Sequence, residues 1–358
     1  MITETEMIER AKACLVLGAI GDALGAPVEF LKRAEIVSQF GENGTQTFHE
    51  AYGVQGAVTD DTQMTLFLAD GLLAAYDRGS KRGILGPYAD YIAMSYIKWL
   101  QTQGETNGNF TRDYSYNLDE WGSTDLYETI AKQGRRGPGN TCLTALRAMP
   151  SPPTQAQNDS KGCGTVMRVA PIGIFFGSMN SNDLHGAQQI FDEAVHDATL
   201  THGHVLAQQA SGVLAVIIAL CMRGQTFEDA VSAALQLTNS AELAAMCKQA
   251  LALQSQEPSA DHIKQLGEGW VAEEALAIGL YCAGHAVNNK LTTTQALGLA
   301  TNHDGDSDST GAITGALIGA ALGGQGIDRA LIRQDTEVGT LVPMLEQYGK
   351  ALVTKRQN

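Results

Sequence analysis

The chain has 358 residues, of which 44% are hydrophobic and only 18% charged, and its formal net charge is −15. That is ample material for a buried core, in one large domain or two ordinary ones, and it excludes disorder on a large scale. An acidic balance of this size argues against nucleic acid or an anionic membrane as a general partner, although backbone N–H groups and a bound metal can still hold a small anion locally.

The first element, MITETEMIERAKACLVLGAIGDALG, has acids where a secretory leader would have lysine. Glycine and Asp22 interrupt its apolar stretch, so neither a signal peptide nor a membrane span is expected. It leads into GAIGDALGAPVEF (18–30), which sets Asp22 and Glu29 among glycines and small apolar residues. Next comes GAVTDDTQMTL, where Thr59, Asp60 and Asp61 precede a helical run with apolar residues on more than one face from Met64 to Tyr76. An N-cap followed by acids in the first turn explains such a start, but one cap does not require two adjacent aspartates between threonines.

Residues 101–125 and 151–162 are polar and rich in turn formers. The aromatics Phe110, Tyr114, Tyr116 and Trp121 in the first of these loops are candidates for a partner surface. RRGPGNTCLTAL (135–146) places Asn140 as the N-cap of a further helix, with Arg135 and Arg136 as candidate phosphate contacts. In GCGTVMR (162–168), Gly162 and Gly164 clear side chains from a backbone that can approach an anion. The segment lacks G-K-[ST] and a third glycine, so it is neither a Walker loop nor a dinucleotide fingerprint. TVMRVAPIGIFF (165–176) is the best strand candidate, although Pro171 argues against a central strand.

Helical patterns return at 205–222, 271–282 and 311–322, where Gly311, Gly315 and Gly319 form a small-residue face for close helix packing. The last of these follows TNHDGDSDSTG, in which Asp304, Asp306 and Asp308 alternate with small residues. Its glycine is misplaced for an EF-hand and no glutamate stands at the twelfth position. Ser309 or Thr310 is a candidate cap. The six cysteines form no C-x-x-C pair and read as free thiols of a reducing compartment, so a cytoplasmic protein is expected. With no fixed-period repeat and no convincing linker, one all-α domain over 1–358 is the simpler organisation.

Asp60, Asp61, Asp306 and Asp308 therefore stand at two acidic, hydroxyl-rich helix starts. They are either caps alone or an oxygen ligand set for hard cations such as Mg2+, Mn2+ or Ca2+.

Taken together, GAIGDALGAPVEF, TDDTQM, GPGNT, GCGTVMRVAPIG, THGH, EGWVAEEALAIGLYC and DGDSDSTGAITGALIGA resemble, in order, the sequence blocks of the ADP-ribosylglycohydrolase family. The resemblance runs from about residue 10 to residue 330. It implies an all-α fold with a binuclear metal cleft, two Mg2+ (Mn2+ in some members), and cleavage of the bond between C1″ of ADP-ribose and an acceptor side chain. By the same resemblance, Thr59, Asp60, Asp61, Asp306, Asp308 and Ser309 match metal ligands. Asp61 and Glu29 become the candidate proton-handling residues. Gly162, Cys163, Gly164, Thr165 and Met167 match a loop along the diphosphate, with His202 and Trp270 lining the ADP-ribose pocket. Many relatives have Asn where this chain has Cys163.

The expected activity is removal of ADP-ribose from arginine of a modified protein. Alternatives within the same site are serine-linked ADP-ribose and O-acetyl-ADP-ribose. From another class comes a binding or immunity protein that occludes an ADP-ribosylating toxin.

Overall fold

Helix formation starts where the sequence caps it. Thr3 and Glu6 exchange side-chain-to-backbone hydrogen bonds in a capping box that opens α1 (Glu4–Gly25). The computed structural model describes residues 2–83, 86–109, 123–178 and 184–354. After α1 come α2 (Arg33–Phe40), a two-stranded hairpin of β1 (Glu50–Ala51) and β2 (Val54–Gln55), α3 (Asp60–Arg82), α4 (Tyr88–Thr102), α5 (Ser123–Gln133) and α6 (Asn140–Ala148). The chain continues through α7 (Ala170–Gly177), α8 (Leu184–Thr199), α9 (Val205–Met222), α10 (Phe227–Leu235), α11 (Ala241–Leu253) and α12 (Ala260–Leu266). It ends with α13 (Ala272–Val287), α14 (Thr293–Thr301), α15 (Ser307–Leu322) and α16 (Glu337–Thr354). The hairpin, with Glu50 opposite Gln55, is the only sheet among the described residues. The all-α expectation is met.

The helices assemble around α1 and α15. These two run antiparallel in backbone contact, because the small-residue stripe on α15 faces another on α1. A Cβ at Gly311 would lie 2.4 Å from the Gly21 carbonyl oxygen, and one at Gly315 would lie 1.9 Å from that of Leu17. No side chain fits there, so glycine sets the distance. The C-terminal end of α1 is thereby brought against the N-terminal end of α15, and α16 packs on the other side of α1. The helix α9 is long and apolar enough to cross a bilayer, but it is almost entirely buried against α7, α8, α10, α13 and α15, as a core helix is.

Three local expectations are corrected. Residues 165–176 form no strand. A short 3-10 turn at Cys163–Thr165 leads into α7, and Pro171 sits in its first turn, where no N–H is needed. The cap of α6 is Gly139, with Asn140 already helical. The cap of α15 is Asp306, whose carboxylate accepts from Ser309 N–H, so that helix starts ahead of Ser309 and Thr310. The aromatics Phe110, Tyr114, Tyr116 and Trp121 lie outside the described residues.

Candidate active site

Two helix N-termini meet the end of α1, and each brings aspartates. Thr59 caps α3, and Asp60 and Asp61 occupy its first turn. Asp306 caps α15, with Asp308 in the first turn. The expected cap stands at the α3 start, the α15 cap is Asp306 in place of Ser309 or Thr310, and both starts turn carboxylates toward one cavity. The positive ends of two helix dipoles face the same acids. The turn Ala26–Phe30 that follows α1 adds Glu29. Together Glu29, Asp60, Asp61, Asp306, Asp308 and Ser309 line one side of a cavity of about 190 Å³, and Gly162, Cys163, Gly164, Met167, His202 and Trp270 line the other.

Twelve of the fourteen residues singled out from the sequence thus share one cavity. The exceptions are Thr59 and Thr165. The Thr59 hydroxyl is spent on the helix start: it donates to Asp22 Oδ1 at 2.9 Å and accepts from Asp61 N–H. The Thr165 hydroxyl turns away, donating to the Ala207 carbonyl on α9 at 3.0 Å.

Five carboxylates in so small a buried volume repel. Burial pushes each one up from its ordinary range, and the neighbouring acids push further. Glu29 reaches about 10, chiefly through burial and then Asp308. Asp60 rises to about 8 and Asp308 to about 7. Asp61 and Asp306 rise strongly from the same causes. Glu29 Oε2 and Asp61 Oδ1 are buried with no hydrogen-bond partner. An oxygen-rich donor set with an orphaned carboxylate oxygen is chemically suited to a hard divalent cation. Among the described residues, no three His, Cys, Asp or Glu side chains already stand as a ready ligand set.

The opposite wall is built on an ion pair that the sequence reading missed. Arg168, fully buried, binds Asp197 through Nε at 3.3 Å, the Gly164 carbonyl through Nη1 at 2.8 Å and Thr201 Oγ1 through Nη2 at 3.0 Å. Thr201 Oγ1 also lies 2.9 Å from His202 Nδ1, with the donor set by the imidazole tautomer. His202 Nε2 lies 3.3 Å from where a Gly162 Cβ would be. Burial, and then Arg168, pull His202 down to about 3, so the ring is neutral beside the glycine loop. Cys163 N–H donates to the Trp270 carbonyl at 3.2 Å, and Cys163 Sγ donates to Asp306 Oδ2 at 2.8 Å, tying this loop to the acidic side. Trp270 stacks on Phe30 at the rim, centroids 6.0 Å apart.

Asp22, set beside Glu29 in the sequence but given no place in the expected site, is a structural carboxylate. It is fully buried in α1 and accepts from Thr59 N–H with both oxygens at 3.0 Å, from Thr62 N–H at 3.1 Å, and from both threonine hydroxyls. Its signal in the sequence was the glycine-flanked G-D-A-L-G itself. The loop 134–139 grips α3 from outside: Asp60 N–H donates to the Arg136 carbonyl at 2.9 Å, and Gly139 N–H to Asp60 Oδ2 at 3.2 Å. Neither candidate arginine there faces the glycine loop. Arg135 pairs with Glu105, and Arg136 is buried against Glu337.

A helical body whose cavity sets five buried carboxylates opposite a glycine loop brings together the sequence blocks that carried the resemblance. The chain belongs to the ADP-ribosylglycohydrolase family, whose sequence profile matches residues 3–358. The match includes α16, so the family region extends beyond the expected 10–330. The chain is 25% identical to an Escherichia coli protein called uncharacterized protein YegU, over 98% of both chains. It is 29% identical to ADP-ribosylarginine hydrolase Tri1 of Pseudomonas putida, over 66% of this chain and 53% of that one. A solved chain titled ADP-ribosylglycohydrolase-related protein complex shares the fold with a TM-score of 0.62 at 23% identity, over 98% of both. Membership supports a glycohydrolase acting on ADP-ribosylated proteins.

Proposed function

We propose that this protein hydrolyses the bond between C1″ of ADP-ribose and an arginine side chain, with two Mg2+ (or Mn2+) held by Asp60, Asp61, Asp306, Asp308 and Ser309. The carrying observation is the convergence of five buried carboxylates opposite a glycine loop in one cavity. The relative named for ADP-ribosylarginine supports arginine as the acceptor. The ions would supply positive charge at the distal ribose hydroxyls, orienting the sugar and offsetting the acids. The glycine loop, with no side chain on Gly162 or Gly164, and the neutral His202 ring suit the diphosphate. Glu29, a cavity carboxyl outside the proposed metal set, protonates the departing guanidine nitrogen. Asp61, with one oxygen free, takes a proton from the water whose oxygen bonds to C1″ as the C1″–N bond breaks. The six buried thiols agree with a reducing compartment such as the cytoplasm.

The test is ADP-ribose release from matched arginine- and serine-linked ADP-ribosyl peptides, with and without EDTA. Release from the arginine peptide, abolished by EDTA and restored by Mg2+, is expected. Release indifferent to chelation would remove the metals, and release from serine alone would remove the acceptor.

A further inference from the structure

Tyr52 plays no part in the account above, yet it stands at the mouth of the cavity in an unusual conformation. It is the first residue of the two-residue turn between β1 and β2, with φ +51°, followed by Gly53 at +80°. Such turns favour Asn-Gly or Gly-Gly, because both positions take positive φ, and an aromatic side chain there is disfavoured. A residue held against its preference at the edge of a site is a candidate for function.

Its surroundings say which function. One face of the ring is covered by Arg136, with Cζ 5.1 Å from the centroid, and that guanidinium is neutralised by Glu337 at 3.1 Å. The residue is still 44% exposed, so Arg136 does not cover it completely. The point a Cβ would occupy at Gly137 lies 2.9 Å from the Tyr52 hydroxyl and 3.8 Å from both Asp60 Oδ1 and Glu29 Oε2. Glu29 Oε2 is the buried oxygen without a partner. Tyr52 therefore stands at the Glu29 end of the cavity, across from the glycine loop and His202. A substrate lying with its diphosphate on that loop and its ribose over the aspartates leaves through the Glu29 end.

We propose that Tyr52 determines the acceptor: the ring face away from Arg136 receives the departing guanidinium, while Glu29 Oε2, its proton given up, accepts one of the guanidinium N–H groups. A planar cation gains from an aromatic face and a carboxylate together, and a serine hydroxyl gains little from the ring. This rests on the ADP-ribosyl-arginine reading above.

Tyr52→Ala, Tyr52→Phe and Tyr52→Asn test it, with steady-state kinetics on matched arginine- and serine-linked peptides and calorimetric binding of free ADP-ribose, which has no acceptor. Tyr52→Ala and Tyr52→Asn should raise KM for the arginine peptide about tenfold relative to the serine peptide. ADP-ribose affinity should stay within about twofold, since the ADP-ribosyl contacts lie elsewhere. Tyr52→Phe should keep the arginine KM. Tyr52→Asn suits positive φ and should also raise Tm, which a merely structural tyrosine would not allow. Equal losses on both peptides, a parallel fall in ADP-ribose affinity, or a Phe variant as poor as Ala would overturn the proposal. Failure of the underlying reading has a separate signature, in which the wild-type protein binds no ADP-ribose or cleaves no arginine peptide.

Discussion

Replacing Asp22 with Asn changes no shape but removes an acceptor. The Asp22 carboxylate takes the Thr59 and Thr62 N–H groups and both hydroxyls. An amide nitrogen in place of Oδ2 leaves the Thr62 N–H facing another donor, while the hydroxyls can rotate away. A buried donor left unpaired costs about 1–3 kcal/mol, and the clash of two donors puts this case at the upper end, about 3 kcal/mol. Losing a buried charge raised to about 6 returns part of that. At about 2.1 cal/mol/K per residue, 358 residues give an unfolding entropy near 0.75 kcal/mol/K, so a net cost of about 2 kcal/mol should lower the Tm by about 3 °C. Because Asp60 and Asp61 ride on the same helix start, the Mg2+ concentration for half-maximal ADP-ribose release should rise about tenfold or more. Calorimetry and a Mg2+ titration measure the two effects. A variant within 1 °C of wild type and unchanged in its Mg2+ requirement would refute the view that Asp22 holds the α3 start in place.

Asp61→Asn should reduce ADP-ribose release by at least about a hundredfold, and full activity in saturating Mg2+ would dismiss its role. In EDTA, Asp22, Asp308 and Asp60 hold protons up to about 6, 7 and 8 that the unfolded chain releases near 4. The native state then binds more protons, so stability is greatest at low pH and is lost as pH rises from about 4 to 8. Tm in EDTA should decline from pH 5 to pH 8 and the decline should flatten in Mg2+; a level profile in EDTA contradicts the raised carboxylates. Gly315→Ala forces a Cβ to within 1.9 Å of the Leu17 oxygen, and a cost of about 3 kcal/mol outweighs the ~1 kcal/mol gain in helix propensity. Tm should drop by about 3 °C, whereas a rise would mean that α1 and α15 separate freely. The His202 ring proton shifts should stay constant from pH 5 to pH 8 by NMR, since its value lies near 3.

Much of this architecture was legible because helix starts carry their own chemistry. Thr59-Asp60-Asp61 and Asp306-x-Asp308 announce both a cap and an acid cluster, and the Gly311, Gly315, Gly319 stripe announces a close neighbour. What the sequence conceals is pairing across distance. Nothing near Asp22 says that its acceptors serve donors at Thr59 and Thr62. Nothing near Arg168 says that Asp197 and Thr201 complete it and so place it beside His202. Pro171 was weighed against a strand, when its place in a first helical turn was equally open. Tyr52 was invisible because its distinction is a backbone angle, which residue type alone argues against.

The backbone contact between α1 and α15 also has a consequence in time. The site draws Asp22 and Glu29 from near one end of the chain and Asp306 and Asp308 from near the other. During synthesis, α1 emerges with its glycine face bare, and its mate begins 282 residues later, from 25 to 307. At about 5–20 residues per second, that is a wait of roughly a quarter of a minute to a minute. Over that interval α1 lacks the helix against which its glycine face packs. The acidic floor closes only after α15 is made, so the activity appears in one step, late, and reports that nearly the whole chain has been translated and folded.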